Sequence, residues 1–463
     1  MSSTKLNAAD RLGADGIGKL LLQFSIPAVT GMLVQALYNV VDRIFVGNGV
    51  NEAALGGISL IMPVMTVTFA FAMLFGVGSA NVISMRLGEK RKEDAQNTLN
   101  CCFWLLAGIG LVITALGLPL LHTLVSHLGA QPGSEVITYA ENYYRIILMG
   151  QVFSMLGFGF SHCTRAQGFP KITMFSMLIG AGINTALDPL FIFVFHWGVE
   201  GAAIATVISQ AASTVWILSF SFGKKAVIRL NPLKAKLDFT TVRTIISFGS
   251  AQFLLQFVMS AVQLLLNNRM SYYGSIEFSD LSHGGDIALT GMNIVGTVTM
   301  LVMMPVFGIS QGAQPILGYN YGAKQFARVK KTYLAAIGVA TIICIVGFAV
   351  TMLFPDAIVS VFSKERSEGL MRFTPPALRI VVAFLPLVGF QVISSNLFVV
   401  TGRPKTSILL SLMRQFIVLI PCVLIFGHFR GLWGVVTALP VADVAATIFT
   451  AFFIANELKK LKG

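Results

Sequence analysis

The chain has 463 residues, of which 55% are hydrophobic and only 11% are charged. Because soluble domains carry about 25% charged residues, this composition argues against a soluble globular protein and indicates a polytopic membrane protein. The formal net charge of +13 lies mostly in the loops between apolar runs, so it does not indicate a nucleic-acid-binding surface.

Twelve apolar runs follow one another along the chain. Each is long enough to cross a hydrocarbon core roughly 30 Å thick, which takes about 20 helical residues. The runs lie at approximately residues 17–47, 54–84, 95–121, 135–160, 170–195, 200–222, 241–271, 286–317, 327–354, 372–400, 404–427 and 431–457. We therefore predict an all-α polytopic membrane protein with twelve transmembrane helices, several of them tilted or kinked.

The basic residues fall mainly on one side of these predicted helices. Of the 33 Lys and Arg residues, 24 lie on the side that carries both termini and four lie in the opposite loops. Cytoplasmic loops carry such an excess of Lys and Arg, so we predict that both termini are cytoplasmic.

Polar side chains interrupt the first predicted helix on one face. They are Gln35, Tyr38, Asn39 and Asp42, at spacings of three and four residues. A charged side chain at the bilayer centre costs about 2.5–3.5 kcal/mol, so we expect Asp42 to face a partner or a water-filled cavity. The alternatives are a pair between Asp42 and the adjacent Arg43, or a stripe that only joins helices by hydrogen bonds.

The fifth predicted helix places an acid beside a proline. Asp188 precedes Pro189, which removes a backbone donor and bends a helix. Asn184 lies four residues earlier, on the same face as Asp188. A carboxylate and an amide at a bend form a candidate ion or proton site. The alternative is that Asp188 only caps the loosened backbone.

The sixth helix and the stretch after it complete the first half. A second polar stripe on this helix consists of Thr206, Ser209, Gln210 and Ser213. The basic stretch that follows is predicted to lie along the cytoplasmic membrane surface. We therefore divide the chain into a six-helix lobe at residues 1–222, a linker at 223–240 and a six-helix lobe at 241–463.

The second lobe repeats the first. Residues 78–95 align with residues 312–329 at a shift of 234 positions, and the same shift superimposes the turn at 168–171 on the turn at 402–405. Six helices are an even number, so both halves enter the membrane in the same orientation. Parallel repeats of this kind are typical of transporters.

The candidate acids of the cation site have no counterparts in the second half. A shift of 224 positions, which applies before a short insertion, puts Leu266 at the position of Asp42, and the equivalent of Asp188 is also not acidic. The seventh predicted helix instead carries Gln252, Gln256 and Gln263. A cavity between the halves is therefore predicted to be protonatable on one wall only.

Two opposite charges lie deep in the last two predicted helices. Arg414 and Asp443 each fall near mid-membrane by the rise per residue of a helix. We predict a structural ion pair, with a role in the substrate path as the alternative.

The predicted site suits a proton or a sodium ion. Burial and mutual repulsion favour the neutral form of one of two neighbouring carboxylates, so Asp42 and Asp188 are predicted to share a proton. Na⁺ is the alternative, because carboxylates, the Asn184 amide and freed carbonyls are all hard oxygen ligands. The scattered His and Cys residues have no metal-ligand or disulfide spacing, and no Walker motif is visible, so no cofactor is predicted.

Several motifs resemble one known family. They are YNVVDRIFVG in the first helix, AALGG at the start of the second, the GxGSANxISxRLGE segment, the YYR of the fourth, GFPK in the following turn, and the pair of Asn184 and Asp188. Together they are similar to the multidrug and toxic compound extrusion (MATE) family, and to its prokaryotic branch that includes DinF-like and MepA-like proteins. The resemblance implies a V-shaped bundle with a central cleft.

The resemblance also implies roles for individual residues. It puts a cation site at Asp42, Asn184 and Asp188, with Tyr143 and Thr206 as neighbours. The predicted substrate cleft comprises Pro27, Met32, Gln35, Tyr38, Asn39, Gln210, Gln256 and Gln263. Another branch of the family has acids on the seventh and tenth helices, where this chain has none, so coupling is predicted in the first half.

We therefore predict a secondary active efflux antiporter, and not an enzyme, in the inner membrane of a prokaryote. It would export organic cations and amphipathic compounds in exchange for H⁺, or alternatively Na⁺. The expected partners are these small molecules and membrane lipids, with no nucleic acid, and we expect a monomer. The competing class is a flippase for a lipid-linked precursor, which would need more basic residues in the cleft to hold a diphosphate.

Overall fold

The computed structural model describes residues 7–128, 134–280, 284–362 and 368–460, except for the side chains of Asn39, Arg43, Asn48, Glu52 and Lys460. Every regular element in these ranges is a helix, which confirms the predicted all-α class.

The first eight α-helices cover the predicted first half. They are α1 (Arg11–Ala14), α2 (Ile17–Gly49), α3 (Glu52–Gly88), α4 (Lys92–Ser126), α5 (Glu135–Met149), α6 (Gln151–Ala166), α7 (Pro170–Pro189) and α8 (Gly198–Phe222). A π-helical turn, Leu190–Val194, follows α7, and a 3₁₀ turn, Pro232–Lys234, lies in the segment after α8.

The remaining α-helices cover the predicted second half. They are α9 (Phe239–Glu277), α10 (Gly284–Gly322), α11 (Phe326–Leu353), α12 (Pro355–Phe362), α13 (Glu368–Val382), α14 (Leu385–Val400), α15 (Pro404–Leu412) and α16 (Ile420–Lys460). A second π-helical segment, Met413–Leu419, joins α15 to α16.

Equivalent turns start the equivalent helices α7 and α15. Proline stands at the first position of each, Pro170 and Pro404, where a missing N–H is harmless because that group has no partner inside a helix. Gly168 and Gly402 precede them with φ angles of 99° and 74°, in the left-handed region that favours glycine. The same turn chemistry therefore recurs at the shift of 234 positions.

Nine helical segments within the described ranges are long and apolar enough to cross a membrane. Two bent pairs raise the number to eleven if each counts as one span: α5 with α6, at 57°, and α13 with α14, at 49°. The longest segment, Pro404–Lys459, contains Gly431, whose φ of 57° interrupts the helix where we predict the eleventh span to end and the twelfth to begin. The polytopic membrane class is confirmed, and the number twelve stays a prediction.

The chain forms two compact units. The first comprises residues 1–253 and 314–325, and the second comprises residues 254–313 and 326–463. The linker that we predicted at 223–240 thus lies inside the first unit, together with the beginning of α9 and the end of α10. The V shape and the central cleft concern both units together and stay predictions.

The first unit is built around α3 and α7. Helix α3 packs against α4, α5 and α6, while α7 packs between α2 and α8. A buried cluster between α3, α5 and α8 includes Tyr143, Tyr144 and Ala202. In the second unit, α11 and α16 both pack against α14.

Repeat-equivalent residues meet where α3 crosses the end of α10. A Cβ atom built on Gly88 would overlap the carbonyl oxygen of Tyr319, and one built on Gly322 would overlap that of Met85. Met85 and Tyr319, like Gly88 and Gly322, are related by the shift of 234 positions. The crossing therefore has the approximate two-fold symmetry of the sequence repeat.

Candidate coupling site

Asp188 lies at the end of α7, just before the chain changes from an α-helix to a π-helix. Pro189 has no N–H to donate to the carbonyl of Thr185, and the N–H of Phe195 instead bonds the oxygen of Leu190, five residues back, at 3.0 Å. The Asp188 side chain is completely buried. A proline thus fixes a carboxyl group at the one irregular turn of this helix.

Amide and hydroxyl groups surround Asp188. The Asn184 Nδ2 atom donates to Asp188 Oδ1 at 3.2 Å and lies 3.5 Å from Thr206 Oγ1 on α8. The Tyr143 hydroxyl on α5 is also hydrogen-bonded to Thr206. Four residues predicted to lie together are therefore neighbours, contributed by three helices.

Helix α2 brings a second acid to this cluster. Asp42 is half-buried, and its carboxyl group lies within hydrogen-bonding reach of the Asp188 carboxyl. Tyr38, one turn earlier, is hydrogen-bonded to Gln35 and lies close enough to both acids to interact with them electrostatically. We call Asp42, Tyr143, Asn184, Asp188 and Thr206 the acid cluster.

Two buried amide oxygens beside the acid cluster have unused acceptor capacity. Within the described ranges, neither Asn184 Oδ1 nor Gln210 Oε1 has a hydrogen-bond partner. Both are carbonyl-type oxygens, which accept a proton donor or a hard cation equally well. Gln210 lies one turn after Thr206 on α8, so its place follows from the polar stripe.

The other predicted cleft residues of the first half all belong to α2. Pro27 is buried inside the helix, Met32 is half-buried, and Gln35 is exposed. The side chain of Asn39 lies outside the described residues, as does that of Arg43, the alternative partner of Asp42.

The predicted residues of the second half lie in the second unit. Gln256 is half-buried, and Gln263 is exposed and donates to Asn267 at 3.0 Å. Arg414 Nε donates to Asp443 Oδ1 at 2.6 Å, so these two residues form an ion pair.

One polar cluster in the first unit escaped the sequence analysis. Lys90 Nζ, in the turn after α3, contacts Asp10 at 2.5 Å and the Tyr319 hydroxyl at 3.0 Å. The hydrogen bond from Lys90 lowers the pKa of Asp10, and Asp10 in turn raises the pKa of Lys90. Asn320 fastens the same N-terminal segment by donating to the Leu12 carbonyl at 3.0 Å. Its members are spread over more than 300 positions, so no local pattern could reveal it.

Long apolar helices with acids buried among them are typical of membrane transporters. The profile of the MatE family matches residues 27–190 and 253–424, and the chain belongs to that family. The resemblance drawn from the sequence motifs is therefore confirmed, as is the prediction that the chain is a transporter and not an enzyme.

Curated relatives and solved structures match over nearly the whole length. The multidrug export protein MepA of Staphylococcus haemolyticus is 27% identical over 443 residues, which cover 96% of this chain and 94% of the relative. A structure described as the outward-facing conformation of a multidrug resistance MATE transporter of the MOP superfamily has a TM-score of 0.90 at 27% identity, and the match covers 99% of each chain. A MOP superfamily transporter of Pyrococcus furiosus, whose binding pocket is described as reversed in polarity and as suggesting a different function, has a TM-score of 0.91 at 26% identity over 99% of this chain and 100% of that one.

Proposed function

We propose that this chain is a secondary active antiporter that exports organic cations and amphipathic compounds in exchange for protons. Family membership supports export, because curated relatives that match over most of the chain are named multidrug export proteins. The acid cluster supports proton coupling.

The contact between Asp42 and Asp188 carries this proposal. A charged carboxylate has only acceptor oxygens, so two of them can share a hydrogen bond only if one holds a proton. Two negative charges within hydrogen-bonding reach of each other repel strongly in a medium of low dielectric constant. Binding of one proton would therefore remove the repulsion between the two carboxylates and allow a hydrogen bond between them.

Proton binding would change the affinity for a cationic substrate. The deprotonated pair attracts a cation into a cleft that we propose to be lined by Pro27, Met32, Gln35, Tyr38, Asn39, Gln210, Gln256 and Gln263. A proton arriving from outside removes that attraction and releases the substrate. Because protonation also removes the repulsion between α2 and α7, it favours a different packing of the two helices, which is the requirement for alternating access.

Sodium is the alternative coupling ion. The carboxylates of Asp42 and Asp188 and the unpartnered Asn184 Oδ1 are oxygen ligands of the kind that hard cations prefer. We favour the proton, because two carboxyl groups within hydrogen-bonding reach of each other can share a proton without any further ligand. The experiment below separates the two ions.

We further propose a location and an assembly state. The excess of Lys and Arg in the loops on the terminal side supports cytoplasmic termini, and bacterial relatives support the inner membrane of a prokaryote. A site formed by helices of one chain supports a functional monomer.

Dye efflux from reconstituted vesicles tests the function and names the ion. A proton gradient and a sodium gradient are imposed separately on vesicles that contain the wild type, Asp188→Asn or Asp42→Asn. We expect transport with the proton gradient only, and at least a tenfold loss in either variant, because each variant has lost one of the two carboxyl groups that share the proton. Asp356→Asn, which changes an exposed acid of α12, is the matched control.

Each other outcome has a definite meaning. Transport driven by the sodium gradient alone, and lost in the acid variants, would mean that Na⁺ and not H⁺ is the coupling ion at the acid cluster. Full activity in both acid variants would refute coupling at the acid cluster. If neither gradient drives dye efflux although the wild type is folded in the membrane, the flippase class becomes the better description.

A further inference from the structure

The segment between α8 and α9, residues 223–238, has no part in the proposed transport cycle. It contains only a short 3₁₀ turn, Pro232–Lys234, yet it lies in a fixed place along α4. We call this segment the strap. The backbone of the strap is hydrogen-bonded to α4, whereas many of its side chains are exposed on the protein surface.

Polar side chains on one face of α4 hold the backbone of the strap. They are Gln96, Asn97, Asn100 and Trp104, at spacings that place them in one row. The Asn97 side chain makes two of these hydrogen bonds: it accepts from the N–H of Lys236 at 2.8 Å and donates to the carbonyl oxygen of Lys236 at 3.0 Å. The strap backbone is therefore turned towards the protein.

The side chains of the strap change direction halfway. Ala226, Ile228 and Leu230 alternate along the chain and are buried. From the 3₁₀ turn onwards the large apolar side chains are exposed instead, with 94% of Leu233, inside the turn, and 59% of Leu237 accessible. Phe239, at the start of α9, is 79% exposed. Leucine and phenylalanine exposed to this degree, next to two spanning helices, are suited to an apolar environment outside the protein.

The strap is strongly basic along its length, and Lys234 and Lys236 lie in its exposed apolar part. The exposed bases are Lys224, Lys225, Arg229, Lys234 and Lys236. The only acid in this stretch of sequence, Asp238, accepts from the N–H of Thr241 at 2.8 Å and from Asn97 at 3.1 Å. Partial burial raises the pKa of Asp238, but these hydrogen bonds outweigh it and lower the pKa overall. The acid is thus engaged in capping α9, and the lysines keep their charge for another partner.

The position of the strap along α4 matches the level of lipid headgroups. Helix α4 has 35 residues and is about 52 Å long, whereas the hydrocarbon core is about 30 Å thick. Its first turns therefore extend into the headgroup layer, and the strap runs beside these turns. Trp104, which donates to the Pro232 carbonyl at 2.9 Å, is about 18 Å from the start of α4 and so lies close to the boundary between headgroups and hydrocarbon, where tryptophan is enriched.

We propose that the strap is a binding site for anionic phospholipids. Leu233, Leu237 and Phe239 enter the acyl boundary of the leaflet, while Lys234 and Lys236 hold the phosphate groups of the lipids. An apolar anchor combined with lysines is the usual composition of an interfacial segment, and each lysine near an anionic surface strengthens binding. The inference does not depend on the transported substrate or on the coupling ion.

Trp104 provides a built-in reporter for this test. A full-length protein that retains Trp104 and carries Trp197→Phe, Trp216→Phe and Trp433→Phe is placed in bilayers with brominated phosphatidylglycerol or brominated phosphatidylcholine at equal fractions. Brominated chains quench nearby tryptophan fluorescence, so the ratio of the two quenching values reports the preference for the anionic lipid. We expect a ratio severalfold above one, falling as salt is raised.

Two double variants decide whether the strap is responsible. Lys234→Gln with Lys236→Gln should bring the ratio close to one. Lys330→Gln with Lys331→Gln removes the same charge from α11 and should leave the ratio unchanged. A ratio of one in the parent protein, or the same ratio in all three proteins, would overturn the proposal. If added inorganic phosphate lowered the quenching ratio beyond the effect of salt at equal ionic strength, the lysines would bind any phosphate, and the proposed specificity for lipid would be overturned.

Discussion

Asp443 and Asp188 are both buried acids of apolar helices, and their neighbours differ. Asp443 has Arg414 at 2.6 Å, a guanidinium that stays charged at any physiological pH. Asp188 has a second carboxyl group, an amide and a hydroxyl as neighbours. The second-half acid is therefore neutralised without a proton, whereas the first-half pair needs one. This difference supports the structural role that we predict for Asp443 and the coupling role that we propose for Asp188.

The two residues of the Arg414 pair should respond unequally to mutation. Arg414→Gln leaves the buried Asp443 carboxyl without its counter-ion, which costs about 3–5 kcal/mol of stability. Asp443→Asn should cost less, because the asparagine oxygen can still accept a hydrogen bond from Arg414 Nε. The double variant should recover to within about 1 kcal/mol of the wild type. Thermal unfolding in detergent measures all three, and equal losses without recovery in the double variant would contradict this account.

At the scale of elements, irregular turns coincide with charged residues in both halves. The π-helical turn Leu190–Val194 follows Asp188 and Pro189 directly, and the π-helical segment Met413–Leu419 contains Arg414. A π-helical turn is less regular than an α-helix and often marks a functional site. In the proposed transport cycle, the first of these turns is the point at which α7 would repack when the charge on the acid cluster changes.

Replacing the proline of this turn should lower transport without lowering stability. Pro189→Ala restores an N–H that can bond the Thr185 carbonyl, so the end of α7 can become a regular α-helix. Residues that couple a site to a conformational change contribute about 0.5–2 kcal/mol, which corresponds to about a 2- to 30-fold loss of transport. Efflux rate and melting temperature are measured on the same preparation. A variant that loses stability and transport in parallel would show that the proline is only structural.

The glycine crossing of α3 with α10 should tolerate no methyl group. Gly88→Ala or Gly322→Ala overlaps backbone atoms of the other helix, and overpacking of this kind costs about 1–3 kcal/mol. Gly108→Ala on α4 meets no atom within 4 Å and should be neutral or stabilising, as is usual for glycine replaced in a helix. Melting temperatures of the three variants provide the comparison, and equal values would show that the crossing can separate freely.

Helix positions were predictable because span length and proline position fix them. The predicted start at residue 170 matches α7, and the predicted start at 404 matches α15, since proline marks both. The 57° break between α5 and α6 was not predicted, because only Gly150 marks it and glycine is common in membrane helices. Contacts distant in sequence, such as Asp10 with Lys90, depend on tertiary packing and leave no periodic signal.

On the scale of the whole molecule, the two similar halves carry their buried charges on different pairs of helices. Shifted back by 234 positions, Arg414 and Asp443 fall on Gly180 and Ser209, which are uncharged. Conversely, Asp188 corresponds to Cys422. The first half therefore has the acid pair on α2 and α7 that we propose to exchange a proton, and the second half has an ion pair between Arg414 and Asp443. One exchangeable proton in each cycle is the simplest stoichiometry for such a molecule.

This stoichiometry predicts how transport responds to voltage. Exchange of a monovalent organic cation for one proton moves no net charge, so a potential imposed with potassium and valinomycin should not change the final accumulation ratio. A divalent cation would move one net charge, for which 100 mV supplies about 2.3 kcal/mol, or about a 50-fold change in that ratio. The two substrates are compared in the same vesicles at a fixed proton gradient. A voltage response with the monovalent cation would mean that more than one proton moves in each cycle, so that Asp42 and Asp188 would each have to exchange one or a further site would have to take part.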